Sequence, residues 1–360
     1  MRATQAPVPP GEIVQAARLL EAGELVGLPT ETVYGLAADA DNPLAVAKIY
    51  AAKGRPPDHP VIVHLHRNAD PLRWAAALPD VARKLIEAFW PGALTLVLPR
   101  RPGMAEACAG GQDTIALRCP DHPVAQAVLA LFKGGQGGLA APSANRFGRI
   151  SPTTAAHVRA ELGDAVALVL DGGPCSVGVE STIVDCSHLG ATGLPRILRP
   201  GGLGAAEIAA VLGCRPEQLQ RGPAAGRSAE LPDEARDGSG EGGVCGEGAA
   251  HAVPRVPGAL ASHYAPATRL LLRRAAAVDA DWPAARRVGV LAPRAQPAAN
   301  AQAVWLALPA DAAGYAHGLY AALRDLDAQG LAEIWAEIPP EGFAWDAVHD
   351  RLRRAAAGSR

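Results

Sequence analysis

A chain of 360 residues, 49% hydrophobic and 19% charged, has apolar material for about two domains and too little charge for wholesale disorder. Its 34 basic and 36 acidic residues leave a net charge of −2, which argues against non-specific grip on nucleic acid or an anionic membrane as its main task. Only Lys48, Lys53, Lys84 and Lys133 are lysines, and the arginine and alanine richness with 4% aromatics reads as compositional bias, so generic Arg and Ala runs carry little meaning.

The N-terminal segment Met1–Gly11 has prolines and no apolar stretch of signal-peptide type. No run approaches the roughly 18 apolar residues that span a bilayer. Ile13–Ala22 has helical spacing and leads into the apolar run Leu25–Leu28. Asn42 and Pro43 make an N-cap and first helical position for a helix over Leu44–Ala52 that stops at Gly54. Apolar runs at Val61–Leu65, Leu94–Leu98, Thr114–Leu117, Gly138–Ala141, Ala165–Leu170 and Ser181–Val184 read as strands. Helical segments at Val81–Phe89, Val124–Phe132 and Ala155–Leu162 separate them. Several of these runs are continuous rather than alternating, which predicts an α/β sheet covered on both faces.

From Gln220 to about Pro257 the chain is Gly, Ala, Ser, Glu and Arg with almost no large apolar side chain, and a flexible linker is expected. Strand-like runs at Arg269–Leu272, Arg287–Leu291, Val304–Leu308 and Ile334–Ile338 follow, with helices at Asp311–Gln329 and Trp345–Ala357. That predicts a second, smaller α/β unit. Six cysteines (Cys108, Cys119, Cys175, Cys186, Cys214, Cys245) without a C-x-x-C pair indicate neither a zinc cage nor a disulfide framework, and a reduced, cytoplasmic protein is expected.

Three segments carry more polar specification than folding needs. Pro29–Leu36 places hydroxyls and a carboxylate after a strand, where open α/β sheets bind ligands; a polar turn capping the next helix is the plainer alternative. Lys53-Gly54-Arg55-Pro56-Pro57 is a stiff cationic corner suited to a polyanion, or a pair of cations complementing a helix C-terminus. His64 interrupts an apolar strand and, alone, reads more readily as a satisfied core histidine than as a ligand. Ala141–Asn145, with Ser151 or Thr153 able to cap the next helix, offers hydroxyls and backbone N–H groups to an anion. Glu180–Asp185 and Arg196–Gly202 add a polar strand entry and further cations, while no P-loop, G-x-G-x-x-G or G-x-S-x-G is present.

Pro-Thr-Glu-Thr-Val-Tyr-Gly-Leu (29–36), Ala-Lys-Gly-Arg-Pro (52–56), Ala-Pro-Ser-Ala-Asn (141–145), Glu-Ser-Thr-Ile-Val-Asp (180–185) and Leu-Arg-Pro-Gly (198–201) together resemble the YrdC-type threonylcarbamoyl-AMP synthases. The likeness covers roughly residues 11–212, and His263-Tyr264-Ala265-Pro266 before a small α/β unit is similar to the family's long form. It implies a twisted, open, mixed sheet (11–212), a linker that ends in a lid (213–264) and a Rossmann-like C-terminal domain (265–358). It also implies formation of L-threonylcarbamoyladenylate and pyrophosphate from L-threonine, bicarbonate or CO2 and ATP. That product would feed the threonylcarbamoyl transferase machinery that modifies tRNA adenosine; whether tRNA touches this chain is left open.

Carried over residue by residue, Lys53 and Arg55 would be catalytic. Arg55, His59, Thr114, Ser143, Asn145, Ser151, Arg199 and Tyr264 would hold ATP, with Mg2+ on its phosphates and no protein-bound metal. Thr32, His64, Arg118, Ala141 and Ser181 would hold threonine. His59 stands where the family usually has asparagine, and the linker lacks the methionine and basic residues usual before His-Tyr-Ala-Pro. Tyr264 would either close over the nucleotide or begin the second domain's core. Two rivals are a carbamoyltransferase, whose usual zinc fingers the cysteine spacing excludes, and a non-catalytic RNA-binding module, which neutral charge and few aromatics disfavour.

Overall fold

The computed structural model describes residues 8–190, 192–222, 253–280, 287–298 and 303–359. Among them, β1 (Val26–Leu28), β2 (Gly35–Asp39), β3 (Val63–Leu65), β4 (Leu94–Pro99), β5 (Thr114–Arg118), β6 (Gly138–Ala140), β7 (Leu168–Val169), β8 (Thr182–Asp185), β9 (Arg196–Arg199) and β10 (Gln220–Arg221) form one sheet. Its order is β10-β9-β8-β4-β5-β3-β6-β2-β1-β7. Pairing is mixed, with β3–β5, β4–β8, β1–β7 and β9–β10 parallel and the other neighbours antiparallel. β2, β5 and β8 are buried along their whole length, as continuous apolar runs require.

The second sheet holds β11 (Leu270–Arg273), β12 (Val288–Ala292), β13 (Val304–Ala307) and β14 (Glu333–Glu337), all parallel in the order β11-β14-β12-β13. Two long helices accompany it, here α8 (Ala312–Asp327) and α9 (Asp346–Gly358), after α1 (Pro10–Glu21), α2 (Pro43–Lys53), α3 (Asp80–Phe89), α4 (Pro123–Leu131), α5 (Ala155–Leu162), α6 (Ala205–Leu212) and α7 (Ala275–Ala280). The halves share a core: Val33, Ile150, Val179 and Tyr264 cluster with Tyr315, Leu319, Tyr320, Leu323, Val348 and Leu352. Gly178 backs onto α8 so closely that a Cβ there would lie 2.4 Å from the His317 carbonyl oxygen.

Several expectations are corrected. Pro29–Leu36 does not cap a helix; it is a loop that enters β2, a strand whose Gly-Leu-Ala-Ala-Asp sequence has no β-branched residue to announce it. α5 is capped by Thr154, whose hydroxyl accepts from His157 N, rather than by Ser151 or Thr153. The strand expected over Ala165–Leu170 narrows to Leu168–Val169 after a turn of 3-10 helix. β9, α6 and α7 were not anticipated. Of the expected linker, 223–252 lies outside the described residues, as does Cys245. Its ends are packed: Gln220–Arg221 extends the sheet as β10, and Val256 sits in a cluster with Ile62, Val97, Ala116, Ile183 and Leu198.

α2 shows how sequence sets up the site. Asn42 Oδ1 accepts from Leu44 N and Ala45 N, and Pro43 supplies a pre-set first turn. The helix stops where Gly54 takes φ +60, a left-handed conformation that favours glycine. That reversal carries Arg55 into the interior, its backbone N–H on the Tyr50 carbonyl.

Candidate active site

Neighbouring strands deliver the polar side chains to one place. His64 on β3 is in register with Arg118 on β5, and Thr95 on β4 stands opposite Arg118 from the other side. Ser181 leads into β8, and its hydroxyl lies 2.7 Å from that of Thr95. Arg199 ends β9; its Nη2 donates to the Ser181 carbonyl at 2.7 Å and approaches Ser181 Oγ at 3.3 Å. The Pro29–Tyr34 loop closes the arrangement, with Arg118 Nη1 donating to Thr32 Oγ1 at 2.8 Å and Nη2 pairing with Glu31 Oε1 at 2.5 Å.

Gly201 lets the chain after Arg199 cross this region, since a Cβ there would stand 2.3 Å from the Glu180 carbonyl. Arg199 Nη1 holds the returning linker through the Pro257 carbonyl at 2.9 Å. Gly258 is left-handed at φ +72, and a Cβ on it would fall 2.0 Å from the Tyr264 hydroxyl. Tyr264 itself has φ +63, a strained conformation for a bulky residue. It belongs to the core shared with α8 and α9, as the second alternative for Tyr264 expected, and it also lines the pocket.

The walls of the resulting pocket include Thr32, Arg55, His64, Arg118, Ala141, Ser143, Ser181, Arg199 and Tyr264. The open space is small, about 40 Å³, and Pro257, Gly258, His263 and Tyr264 form part of its wall. A roomier cleft of about 340 Å³ lies between the two halves, but few charged groups converge on it. They converge instead on the smaller pocket, which is the candidate site. Arg55 Nε, His64 Nδ1, Arg199 Nε, His263 Nδ1 and Tyr264 OH are all buried there without a hydrogen-bond partner among the described residues. Buried polar atoms are rarely left so, and five around one pocket suit it to a polar ligand.

The electrostatics are those of a buried, cationic site. Burial pushes the Arg55 pKa down to about 10, with Arg199 adding to the effect, so Arg55 stays charged at neutral pH. Burial, then the Arg118 guanidinium, pushes His64 down to about 3, and its imidazole is neutral. His263 is likewise about 3, from burial first, Glu180 opposing and the cations Lys53, Arg55 and Arg199 reinforcing. In an unfolded chain these histidines titrate near 6.5 and bind protons the folded protein refuses. Their contribution is therefore complete above pH 6.5 and lost as pH falls toward 3, at about 1.4 kcal/mol per pH unit for each histidine. The urea midpoint is expected to fall between pH 7 and pH 5, and to fall less in His64→Asn. A level midpoint across that range contradicts the neutral assignment.

The other residues singled out in the sequence stand behind the walls. Lys53 Nζ donates to the Ser143 and Asn145 carbonyls, so it braces the 143–145 turn rather than lining the pocket. Its pKa is lowered by burial and then by Arg55. Asn145 Nδ2 donates to the Arg146 and Arg149 carbonyls, while Ser151 Oγ donates to Glu180 Oε1 at 2.6 Å. His59 is half-buried, edge-on to Phe147 at 5.4 Å, and Thr114 opens β5 opposite Pro99. Sequence reasoning gave no role to Thr30, Glu31, Glu180 or His263, although each lies inside a quoted motif. It missed Tyr320 and Arg351 altogether, which have no local signature.

An α/β fold whose strand ends gather guanidiniums, hydroxyls and a neutral imidazole around a closed pocket is that of an enzyme acting on small polar and anionic substrates. Two family models match: "Telomere recombination" (Sua5_yciO_yrdC) over residues 18–201 and "Threonylcarbamoyl-AMP synthase, C-terminal domain" over 205–357. A threonylcarbamoyl-AMP synthase of Bacillus subtilis is 38% identical over 361 residues, covering 96% of this chain and 93% of that protein. One from Pyrococcus abyssi is 34% identical, with 94% and 92% covered. The crystal structure of P. abyssi Sua5 complexed with L-threonine superposes with a TM-score of 0.80 at 32% identity, covering 99% of this chain and 98% of that one. The chain belongs to the Sua5 family of threonylcarbamoyl-AMP synthases, in its two-domain form, and is an enzyme of the nucleotidyltransferase type.

Proposed function

We propose that this pocket converts L-threonine, CO2 or bicarbonate, and ATP into L-threonylcarbamoyladenylate and pyrophosphate. The observation that carries the reading is the meeting of two buried guanidiniums, Arg55 and Arg199, with the hydroxyl and imidazole groups of Thr32, Ser181 and His64 in one pocket. The threonine amine adds to CO2 and loses a proton, giving an N-carboxylate. A carboxylate oxygen then attacks the α-phosphorus while the bond from that phosphorus to the bridging oxygen breaks. Pyrophosphate leaves with the electron pair. No enzyme nucleophile is needed, only alignment and neutralisation of phosphate charge, which Arg55 and Arg199 supply.

Mg2+ would arrive on the ATP phosphates as part of that substrate. Among the described residues no three His, Cys, Asp or Glu side chains gather to hold a metal, and Glu31 and Glu180 are engaged by Arg118 and Arg351. Carbamates hydrolyse readily, so the cover formed by 257–264 has a chemical purpose, and it must withdraw to admit ATP. The product is an activated mixed anhydride, suited to acyl transfer onto a tRNA adenosine amine by a partner transferase. Among the described residues no helix is long and apolar enough to cross a membrane.

Mass spectrometry of the product formed from ATP, labelled bicarbonate and threonine tests the reading. The threonylcarbamoyladenylate mass is expected, with label retained. Serine, lacking one methyl, should lose only about 1–3 kcal/mol in specificity, whereas valine, lacking the hydroxyl that the polar pocket would bind, should fare worse. Valine used as well as threonine would mean that the pocket does not read the hydroxyl.

A further inference from the structure

We infer that Arg351, on α9 of the C-terminal domain, is a positioning residue for the reaction, acting by holding the Glu180 carboxylate in the wall of the pocket. Glu180 directly precedes Ser181 and is buried. One of its oxygens accepts from Ser151 Oγ at 2.6 Å; the other accepts from Tyr320 OH at 2.9 Å and Arg351 Nε at 2.7 Å. Two of those three donors come from the second domain, α8 and α9. Arg351 is itself fully buried, and its guanidinium carbon lies 5.0 Å from the centroid of the Tyr264 ring. One side chain of the C-terminal domain therefore touches both the carboxylate beside Ser181 and the aromatic that covers the site.

The arrangement is braced from behind. Arg351 Nη1 donates to Asp350 Oδ2 at 2.5 Å, and Asp350 Oδ1 accepts from Arg354 Nε at 2.9 Å. The Arg354 backbone carbonyl accepts from His263 N at 3.2 Å, and its guanidinium donates to the Leu260 carbonyl. α9 thus grips the linker at residues on both sides of its turn. A buried ion pair is a poor route to stability, because well-packed apolar side chains often do as well or better. Stability alone therefore does not account for a charge at this position.

The charged and titratable groups facing Glu180 are Arg351 from α9, Tyr320 from α8, Arg199 from β9, and His263 and Tyr264 from the linker, with Ser151 hydrogen-bonded. Burial would raise the Glu180 carboxyl, but Arg351, Arg199 and the Ser151 hydroxyl outweigh it and hold it at about 2. Removal of Arg351 relaxes that hold. Glu180 would then take up a proton at higher pH, and Ser151 would lose its fixed acceptor.

The inference rests on the proposed reaction, so wild-type product formation is measured first; its absence would overturn the proposed reaction and, with it, the positioning role of Arg351. Steady-state kinetics of full-length Arg351→Met, Arg351→Lys and Arg351→Met/Glu180→Gln are then compared from pH 5.5 to 8.5, at a temperature where circular dichroism shows each to be folded. Arg351→Met is expected to raise KM for ATP or lower kcat by about ten- to a hundredfold. It should also gain a new acid limb that the double variant lacks, since glutamine cannot titrate. Arg351→Lys keeps the charge but loses the rigid fork, and should fall between. If Arg351→Met does not fold, the lysine variant and the double variant carry the test. Folded variants with kcat and KM within twofold of wild type and an unchanged pH profile would overturn the positioning role.

Discussion

Arg55→Ala is expected to form the adenylate a hundredfold or more slowly than the parent enzyme while remaining folded. Arg55 is inside the protein, charged at working pH, and its Nη2 has one bond, to the Pro60 carbonyl at 2.7 Å. Arg55 lines the pocket, and its Nε has no partner among the described residues. A preorganised donor aimed at developing phosphate charge in a dry site is commonly worth about 3–4 kcal/mol at the transition state, which is two to three orders of magnitude in rate. Truncation strands no buried carboxylate, so the loss should appear in kcat rather than in the melting temperature. Threonine-dependent pyrophosphate release within threefold of wild type would refute the role.

Arg118→Ala should act differently, costing about 3–5 kcal/mol of stability together with threonine affinity. The Arg118 and Glu31 side chains are only 4% and 8% exposed and meet at 2.5 Å, while Glu31 Oε2 already lacks a partner. Removing the guanidinium leaves the Glu31 carboxylate buried without its cation. It also releases Thr32 Oγ1 and the Gly92 carbonyl, both of which Arg118 holds. Urea unfolding reads the first effect and calorimetry with threonine the second. Arg118→Ala/Glu31→Gln should regain most of the stability but not the affinity. An unchanged urea midpoint in the single variant would show that the pair is not needed to hold the loop.

Much of this was legible in the chain itself. The Asn42-Pro43 start and Gly54 stop of α2 are local rules, and the strands that carry His64 and Arg118, and the one that Ser181 leads into, announce themselves as apolar runs. Their meeting in one pocket was reached through motifs, because periodicity says nothing about which strands are neighbours. β2 stayed hidden because Gly-Leu-Ala-Ala-Asp has neither alternation nor branching, and its burial comes from its neighbours. Lys53 looked like a free cation beside Arg55, yet two carbonyls some ninety residues away claim its ammonium. The Glu180–Arg351 contact, 171 residues apart, has no local trace, and α9 reads as one more arginine-rich helix in an arginine-rich protein.

The core shared between the halves also decides how the molecule can come apart. Val33, Ile150 and Val179 find cover on α8 and α9, and those helices bury Tyr315, Leu319 and Leu323 in the same cluster. Neither half therefore owns a finished surface. A fragment ended after β10 would expose an apolar face with the carboxylate of Glu180 set into it, stripped of Tyr320 and Arg351. Such a piece would tend to self-associate or bind chaperones rather than circulate as a smaller enzyme. The two halves are therefore expected to unfold together, in a single transition.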